Sequence, residues 1–101
     1  MKKIIDGKMY NTETATKVAD YGEDYASNIN CWFEILYIKK TGEWFLYGEG
    51  GPNSPYSERC GTSTWCGSST IKPYTSEQAK KWLVKYDFVD EYITYFGEPE
   101  E

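Results

Sequence analysis

The clearest hydrophobic pattern is a pair of apolar, aromatic-rich segments separated by a short polar turn. The first segment spans residues 32–38 and the second residues 43–47, and the connector between them ends in Gly42. Aromatic and β-branched residues favour strands, and glycine suits the left-handed position that closes such a turn. The pattern predicts a central β-hairpin. Because both segments are apolar at nearly every position, we expect helix on one face and a loop or a partner on the other.

A helical pattern follows near the C-terminal end of the sequence. Residues 75–78 (TSEQ) have the form of a capping box. Two sets of apolar residues then follow at the helical spacing i, i+3, i+4, i+7. They are Ala79, Trp82, Leu83 and Tyr86, and then Val89, Tyr92, Ile93 and Phe96. The spacing predicts two helices, or one helix bent at residues 87–88, over residues 76–96. We expect Trp82, Leu83, Val89, Ile93 and Phe96 to pack on the sheet.

Weaker patterns surround these elements. The dipeptide Asp6-Gly7 divides two short apolar runs within residues 2–10 and favours a tight β-hairpin. Residues 12–19 fit a capped helix and an alternating strand equally well, and residues 20–30 are typical of a polar connection. Residues 70–72 favour one further strand.

Glycine, proline, serine and threonine dominate residues 48–69. Loops of this length in a compact domain are usually functional or contain short elements, so we predict a long irregular loop that forms an exposed functional surface. The whole pattern predicts a single α+β domain over residues 1–101. A small antiparallel sheet is built around the central aromatic hairpin, with the N-terminal hairpin beside it and the C-terminal helices packed on one face. Residues 97–101 form an acidic tail.

Composition narrows the possible functions. Sixteen Asp and Glu against eleven Lys and Arg give a formal net charge of −5, and histidine is absent. Without imidazole, histidine general bases, histidine-ligated metals and histidine-activated nucleophiles are excluded. The acidic balance opposes binding to nucleic-acid duplexes and to anionic membranes. We expect no enzymatic activity, no cofactor and no direct contact with nucleic acid or membrane.

Cysteine usage and the first residues of the chain bear on its location. Cys31, Cys60 and Cys66 are an odd number, and no apolar run has the length of a signal-peptide core or a membrane span. We expect reduced thiols and a cytoplasmic location. A metal site is disfavoured because the cysteines lack the close spacing of a zinc knuckle.

Two carboxylates lie in the predicted central hairpin. Counting outward from the turn, Ile38 faces Glu43. Glu34 then faces Tyr47 and lies two cross-strand pairs from Glu43, too far for a catalytic dyad. Because Glu34 interrupts an apolar strand, we expect it to reach the edge of the sheet or to meet a cation such as Arg59 or a lysine. A structural role is the favoured interpretation.

Acidic and aromatic residues are the candidates for contact with a partner. Asp and Glu are frequent in the last fifteen positions. The ordinary interpretation is a solvated face, and the more specific one is a surface that binds a basic groove of another protein. Eighteen aromatic residues exceed what a domain of this size readily buries, and exposed rings commonly anchor protein interfaces. The predicted partner-binding residues are Glu49, Tyr56, Glu58, Trp65, Asp87, Asp90, Glu91 and Glu98.

Three segments resemble a set of small proteins encoded on phages, plasmids and integrated elements of Gram-positive bacteria. They are residues 3–15 (KIIDGKMYNTETA), residues 43–52 (EWFLYGEGGP) and residues 71–73 (IKP), the last placed before the capped helix. The likeness extends over almost the entire chain except residues 59–69. The resemblance implies an inhibitor of host defence, with anti-CRISPR proteins among the candidates, and it attaches no catalytic residue to these segments.

The sequence therefore leads to three hypotheses. The first is a non-enzymatic inhibitor or adaptor that binds a host protein, with a CRISPR effector or another nucleic-acid-handling protein as the candidate partner. The alternative is a small ligand-binding or cryptic enzymatic domain that uses residues 48–69, including Glu49, Glu58, Arg59 and the two cysteines of that segment. A third possibility is a homodimer formed through a sheet edge.

Overall fold

The computed structural model describes residues 1–23, 32–51, 55–56, 58–59 and 65–99, with the backbone alone at residues 23, 58, 59, 65 and 66. These residues form three antiparallel sheets and two helices, an α+β architecture that confirms the predicted fold class. The elements are β1 (Lys2–Ile5), β2 (Lys8–Asn11), β3 (Thr16–Glu23), β4 (Trp32–Ile38), β5 (Trp44–Gly50), β6 (Glu58–Arg59), β7 (Trp65–Cys66), β8 (Ser68–Tyr74), α1 (Ser76–Lys85) and α2 (Val89–Phe96). The main sheet has the order β3-β4-β5-β8, and β1-β2 and β6-β7 are two-stranded.

The predicted central hairpin is confirmed as β4 and β5, but its register differs from the predicted one by one residue. Ile38 pairs with Trp44, and the backbone N–H of Lys39 donates to the carbonyl of Glu43 at 2.8 Å. Glu34 consequently pairs with Gly48, so the predicted pairing with Tyr47 is wrong. Side chains alternate between the two faces of a sheet, and a shift of one residue therefore changes which side chains meet.

The two helices cover one face of the main sheet. Leu36 of β4, Leu46 of β5 and Leu83 of α1 meet in the centre of this layer, where each is almost completely buried. The predicted capping box is present, with the Thr75 hydroxyl accepting from the backbone N–H of Gln78 at 3.2 Å and the Gln78 amide oxygen accepting from the backbone N–H of Thr75 at 2.8 Å. Neither helix of the described chain is long and apolar enough to cross a membrane.

The helical segment breaks where the sequence placed a bend. Asp87 has a φ of 59°, in the left-handed region that ends a right-handed helix, and the backbone N–H of Phe88 returns to the carbonyl of Leu83 at 2.9 Å. The helix α2 begins directly afterwards. The predicted packing of Val89 on the sheet is wrong, because Val89 is 61% exposed. Ile93 is half-buried but is not among the side chains packed against the helix-side core.

The N-terminal hairpin β1-β2 covers part of the other face of the main sheet. Tyr10 of β2 is buried there against Phe45, with ring centroids 5.5 Å apart, and belongs to a core cluster with Tyr37 and Ile71. An ion pair of 3.0 Å between Lys8 and Glu43 ties the hairpin to the central turn. The hairpin lies against the face of the main sheet for which the sequence predicted a loop or a partner. It lies there because the ring of Tyr10 is buried among apolar side chains of that face.

The predicted irregular loop over residues 48–69 contains regular structure. The strand β5 continues to Gly50, β6 pairs with β7, and β8 begins at Ser68. The strand β8 extends beyond the predicted residues 70–72 and includes Pro73, which is tolerated because β8 is an edge strand.

The ambiguous residues 12–19 lead into a strand, β3, rather than a helix. Most of the predicted polar connection, residues 24–30, lies outside the described residues, as do Cys31 and Cys60. Cys66 is described by its backbone only.

Substitution of Leu83 tests the packing of α1 on the sheet. A carboxylate at this buried site loses the apolar contacts of leucine and has no hydration. We expect Leu83→Asp to lower the free energy of unfolding by about 4 kcal/mol or more, measured by urea denaturation. The matched control is Val84→Asp at the neighbouring position, which is 65% exposed and should change stability by about 0.5 kcal/mol or less. Equal stability of the two variants would contradict the helix assignment.

Candidate functional site

A carboxylate on the helix-covered face of the sheet joins three parts of the fold. Glu34 lies on β4, an interior strand, and one of its oxygens accepts hydrogen bonds from the indole N–H of Trp82 at 3.0 Å and the hydroxyl of Tyr86 at 3.5 Å. The other oxygen accepts from the hydroxyl of Tyr56. The sheet, α1 and the segment after β5 therefore meet at one acidic side chain. We call Glu34 and its donors Tyr56, Trp82 and Tyr86 the Glu34 centre.

The Glu34 centre corrects the predicted surroundings of this carboxylate. Glu34 does not reach a sheet edge, and within the described part of the chain it forms no ion pair with a lysine. The side chain of Arg59, the other predicted cation, lies outside the described residues. Three neutral donors occupy the place of the expected cation, which satisfies the carboxylate without burying a second charge.

The glycine opposite Glu34 makes room for the Tyr56 donor. A Cβ atom at Gly48 would overlap the ring of Tyr56, so the ring lies directly on the bare backbone of β5. The ammonium of Lys72 lies 5.2 Å from the centre of the same ring. Tyr56 is 6% exposed and is therefore held by the sheet, although the sequence predicted it as a partner-binding residue at the surface. The burial of Tyr56 follows from the pairing of Glu34 with Gly48, which differs from the predicted register.

The pKa values of two tyrosines in this region, Tyr56 and Tyr74, are raised. Burial, together with the hydrogen bond to the Glu34 carboxylate, raises the pKa of Tyr56 far above its ordinary value. Burial, followed by the negative charge of Glu34, also raises the pKa of Tyr74. The neutral phenol is the form that can donate to a carboxylate, so the Glu34 centre functions as a structural clasp at neutral pH.

A groove between the two helices, which we call the helix groove, lies outside the Glu34 centre. It has a volume of about 220 Å³ and is lined by apolar side chains of both helices, with Asp87 and Pro99. Two of the lining residues, Val84 and Val89, are 65% and 61% exposed. None of the eight residues of α2, all of which the structure describes, is fully buried. The helix groove is thus an apolar surface that remains partly exposed to solvent.

Unpaired acidic residues accompany the helix groove. Asp87 lines it, Asp90 follows the lining residue Val89, and Glu98 precedes the lining residue Pro99. All three acids are exposed, and among the described residues none of them forms an ion pair. The groove therefore combines apolar surface with local negative charge.

The remaining predicted partner-binding residues are scattered. Glu91 is half-buried on α2, and Glu49 is exposed on β5, where its carboxylate accepts from the hydroxyl of Tyr47 at 3.4 Å. The side chains of Glu58 and Trp65 lie outside the described residues. Among the described residues, Asp87, Asp90, Glu91 and Glu98 lie in or next to α2. No sequence signal identifies the groove itself, because Val89 fits the spacing of a buried stripe.

The ligand-binding alternative depends on side chains of residues 48–69, most of which lie outside the described part. Across the residues that the structure describes, no group of three cysteine or carboxylate side chains is arranged to hold a metal ion. Comparison with known proteins adds no assignment, since no family model, no curated protein and no solved structure matches the chain.

Removal of the Tyr56 hydroxyl tests the Glu34 centre. Tyr56→Phe keeps the ring on Gly48 and deletes one donor to a partly buried carboxylate. We expect the free energy of unfolding at neutral pH to fall by about 1.5–3 kcal/mol, measured by urea denaturation. Tyr95→Phe, at an exposed ring, is the control and should cost about 0.5 kcal/mol or less. Indistinguishable stabilities of the two variants would show that Tyr56 does not donate to Glu34.

The stability difference between wild type and Tyr56→Phe should also depend on pH in the alkaline range. Because the pKa of Tyr56 is raised on folding, the folded protein retains a proton that the unfolded chain releases above about pH 10. The stability contributed by this hydroxyl is complete below that pH and declines above it. The difference in free energy of unfolding between wild type and Tyr56→Phe should narrow between about pH 9 and pH 11.5. A constant or widening difference would contradict the raised pKa.

Proposed function

We propose that this protein is a non-enzymatic inhibitor or adaptor that acts in the cytoplasm by binding another protein through the helix groove. The observation that carries the proposal is that exposed Val84 and Val89 line the same groove as the unpaired carboxylate of Asp87, with Asp90 and Glu98 adjacent in sequence to lining residues. Apolar side chains of a partner would enter the groove, and basic side chains would meet Asp87, Asp90 and Glu98. The proposed partner segment is therefore amphipathic and rich in lysine or arginine.

The size of the groove supports a macromolecular partner. Pockets that enclose whole small molecules generally measure about 300–1,000 Å³, and the helix groove is smaller and shallow. Grooves of this kind take anchor side chains that project from a larger surface. Acids at the margin would speed encounter with a basic partner and make the complex sensitive to salt.

Nucleic-acid-handling proteins are the partner class that we favour. Such proteins hold phosphates in basic grooves, and a chain with a net charge of −5 is suited to compete for those cations. The sequence resemblance to proteins of mobile elements favours a defence component within this class. The specific proposal is an anti-CRISPR protein of a mobile genetic element that binds a CRISPR effector and blocks its use of DNA.

A charge reversal at the groove tests this proposal. We expect Asp90→Lys to weaken inhibition of target-DNA binding by a purified CRISPR effector–guide complex about tenfold, measured by mobility shift. Glu13→Lys makes the same change of charge at an exposed site in the turn before β3 and should inhibit like the wild type. Inhibition by the wild type should also weaken as salt is raised.

Two results would count against the proposal at different levels. Absence of inhibition by the wild-type chain at low salt would remove the anti-CRISPR assignment. Equal loss of inhibition in Asp90→Lys and Glu13→Lys would show that total charge, rather than the helix groove, determines binding.

A further inference from the structure

The outer face of the N-terminal hairpin carries a second exposed apolar surface. Ile4 and Met9 form a cross-strand pair between β1 and β2 and are 74% and 59% exposed. They point away from the main sheet, because the neighbouring Tyr10 is the residue buried against it. Two large apolar side chains are thus presented side by side on a two-stranded ribbon.

Lysines are adjacent in sequence to this apolar pair, and Lys2 lies on the same face of the hairpin. Lys2 and Lys3 precede Ile4, are exposed, and form no ion pair with any residue that the structure describes. Lys8 precedes Met9, although its ammonium is engaged by Glu43. The hairpin surface therefore has the chemistry that the helix groove lacks: protruding aliphatic groups with basic neighbours.

The two complementary surfaces cannot meet within one molecule. The hairpin packs on the sheet face that contains Phe45, whereas the helices pack on the face that contains Leu46, the next residue along β5. Successive residues of a strand point to opposite faces, so the main sheet separates the hairpin from the helix groove. Contact between the two surfaces requires a second copy of the chain.

We propose that the chain associates with itself head to tail, with Ile4 and Met9 of one copy in the helix groove of the next. Lys2, on the same face as Ile4 and Met9, then lies near Asp87 in the groove of the neighbouring copy, which places opposite charges together. The contact is heterologous, since each copy uses two different surfaces, so association continues beyond the dimer unless a ring closes.

The proposed contact is small and therefore weak. Its apolar part consists of two side chains on one partner and a shallow groove on the other, below the size of stable interfaces. Self-association would dissociate on dilution and with added salt. It would also occupy the helix groove, so a concentrated pool of the protein would have less surface for a host partner. The self-association itself does not depend on the existence of such a partner.

Two complementary variants give a direct test. Ile4→Glu disables the hairpin surface and leaves the groove intact, whereas Val84→Lys disables the groove and leaves the hairpin intact. Both positions are exposed, so both variants should fold, which circular dichroism and thermal melting would verify. Sedimentation is measured for the wild type, each variant and their equal mixture between about 10 µM and 1 mM, the range of weak association.

The expected pattern is specific to a head-to-tail contact. The wild type should form oligomers that grow with concentration and decline as salt is raised from about 50 to 500 mM. Each variant alone should be monomeric, with association weakened at least about tenfold, and the equal mixture should form dimers that do not grow further. The proposal is overturned if the wild type is monomeric throughout, if a single variant still associates, or if the mixture remains monomeric.

Discussion

The arrangement of this fold depends on one carboxylate that three neutral side chains satisfy. Glu34 occupies an interior strand under α1, where an acid without partners would oppose folding. Tyr56 and Trp82, on two different segments, donate hydrogen bonds to Glu34. If either segment moved away from the sheet, an oxygen of the Glu34 carboxylate would lose its hydrogen bond. Because the partly buried carboxylate of Glu34 requires hydrogen-bond donors, it links the segment carrying Tyr56 and the helix α1 to the sheet.

The helix groove follows from how this connection is made. Trp82 and Leu83 hold α1 on the sheet. The helix α2 has no fully buried residue and contacts the sheet through the rings of Tyr95 and Phe96 against Trp44. The outer sides of both helices consequently keep apolar surface in solvent. The exposed apolar side chains of Val84 and Val89 beside Asp87 are the basis on which we propose a binding role for this groove.

The elements with strong local signals could be predicted from the sequence, whereas β6 and β7 and the contacts between elements could not. The apolar segments around Gly42, the capping box at Thr75 and the bend at Asp87 are local signals, and each predicted structure is present. The hairpin register is not local, because turns of similar length permit pairings that differ by one residue. That single residue decides whether Glu34 meets Tyr47 or Gly48. The space for Tyr56, and hence its burial, therefore escaped prediction.

A double-mutant cycle between Tyr56 and Glu34 tests the account most directly. Free energies of unfolding are measured for wild type, Tyr56→Phe, Glu34→Met and the double variant, which isolates the coupling between the hydroxyl and the carboxylate. We predict a favourable coupling of about 1.5 kcal/mol or more, because the pair is charge-assisted and partly buried. Additive effects, within about 0.3 kcal/mol, would show that the segment carrying Tyr56 is held to the sheet by other contacts.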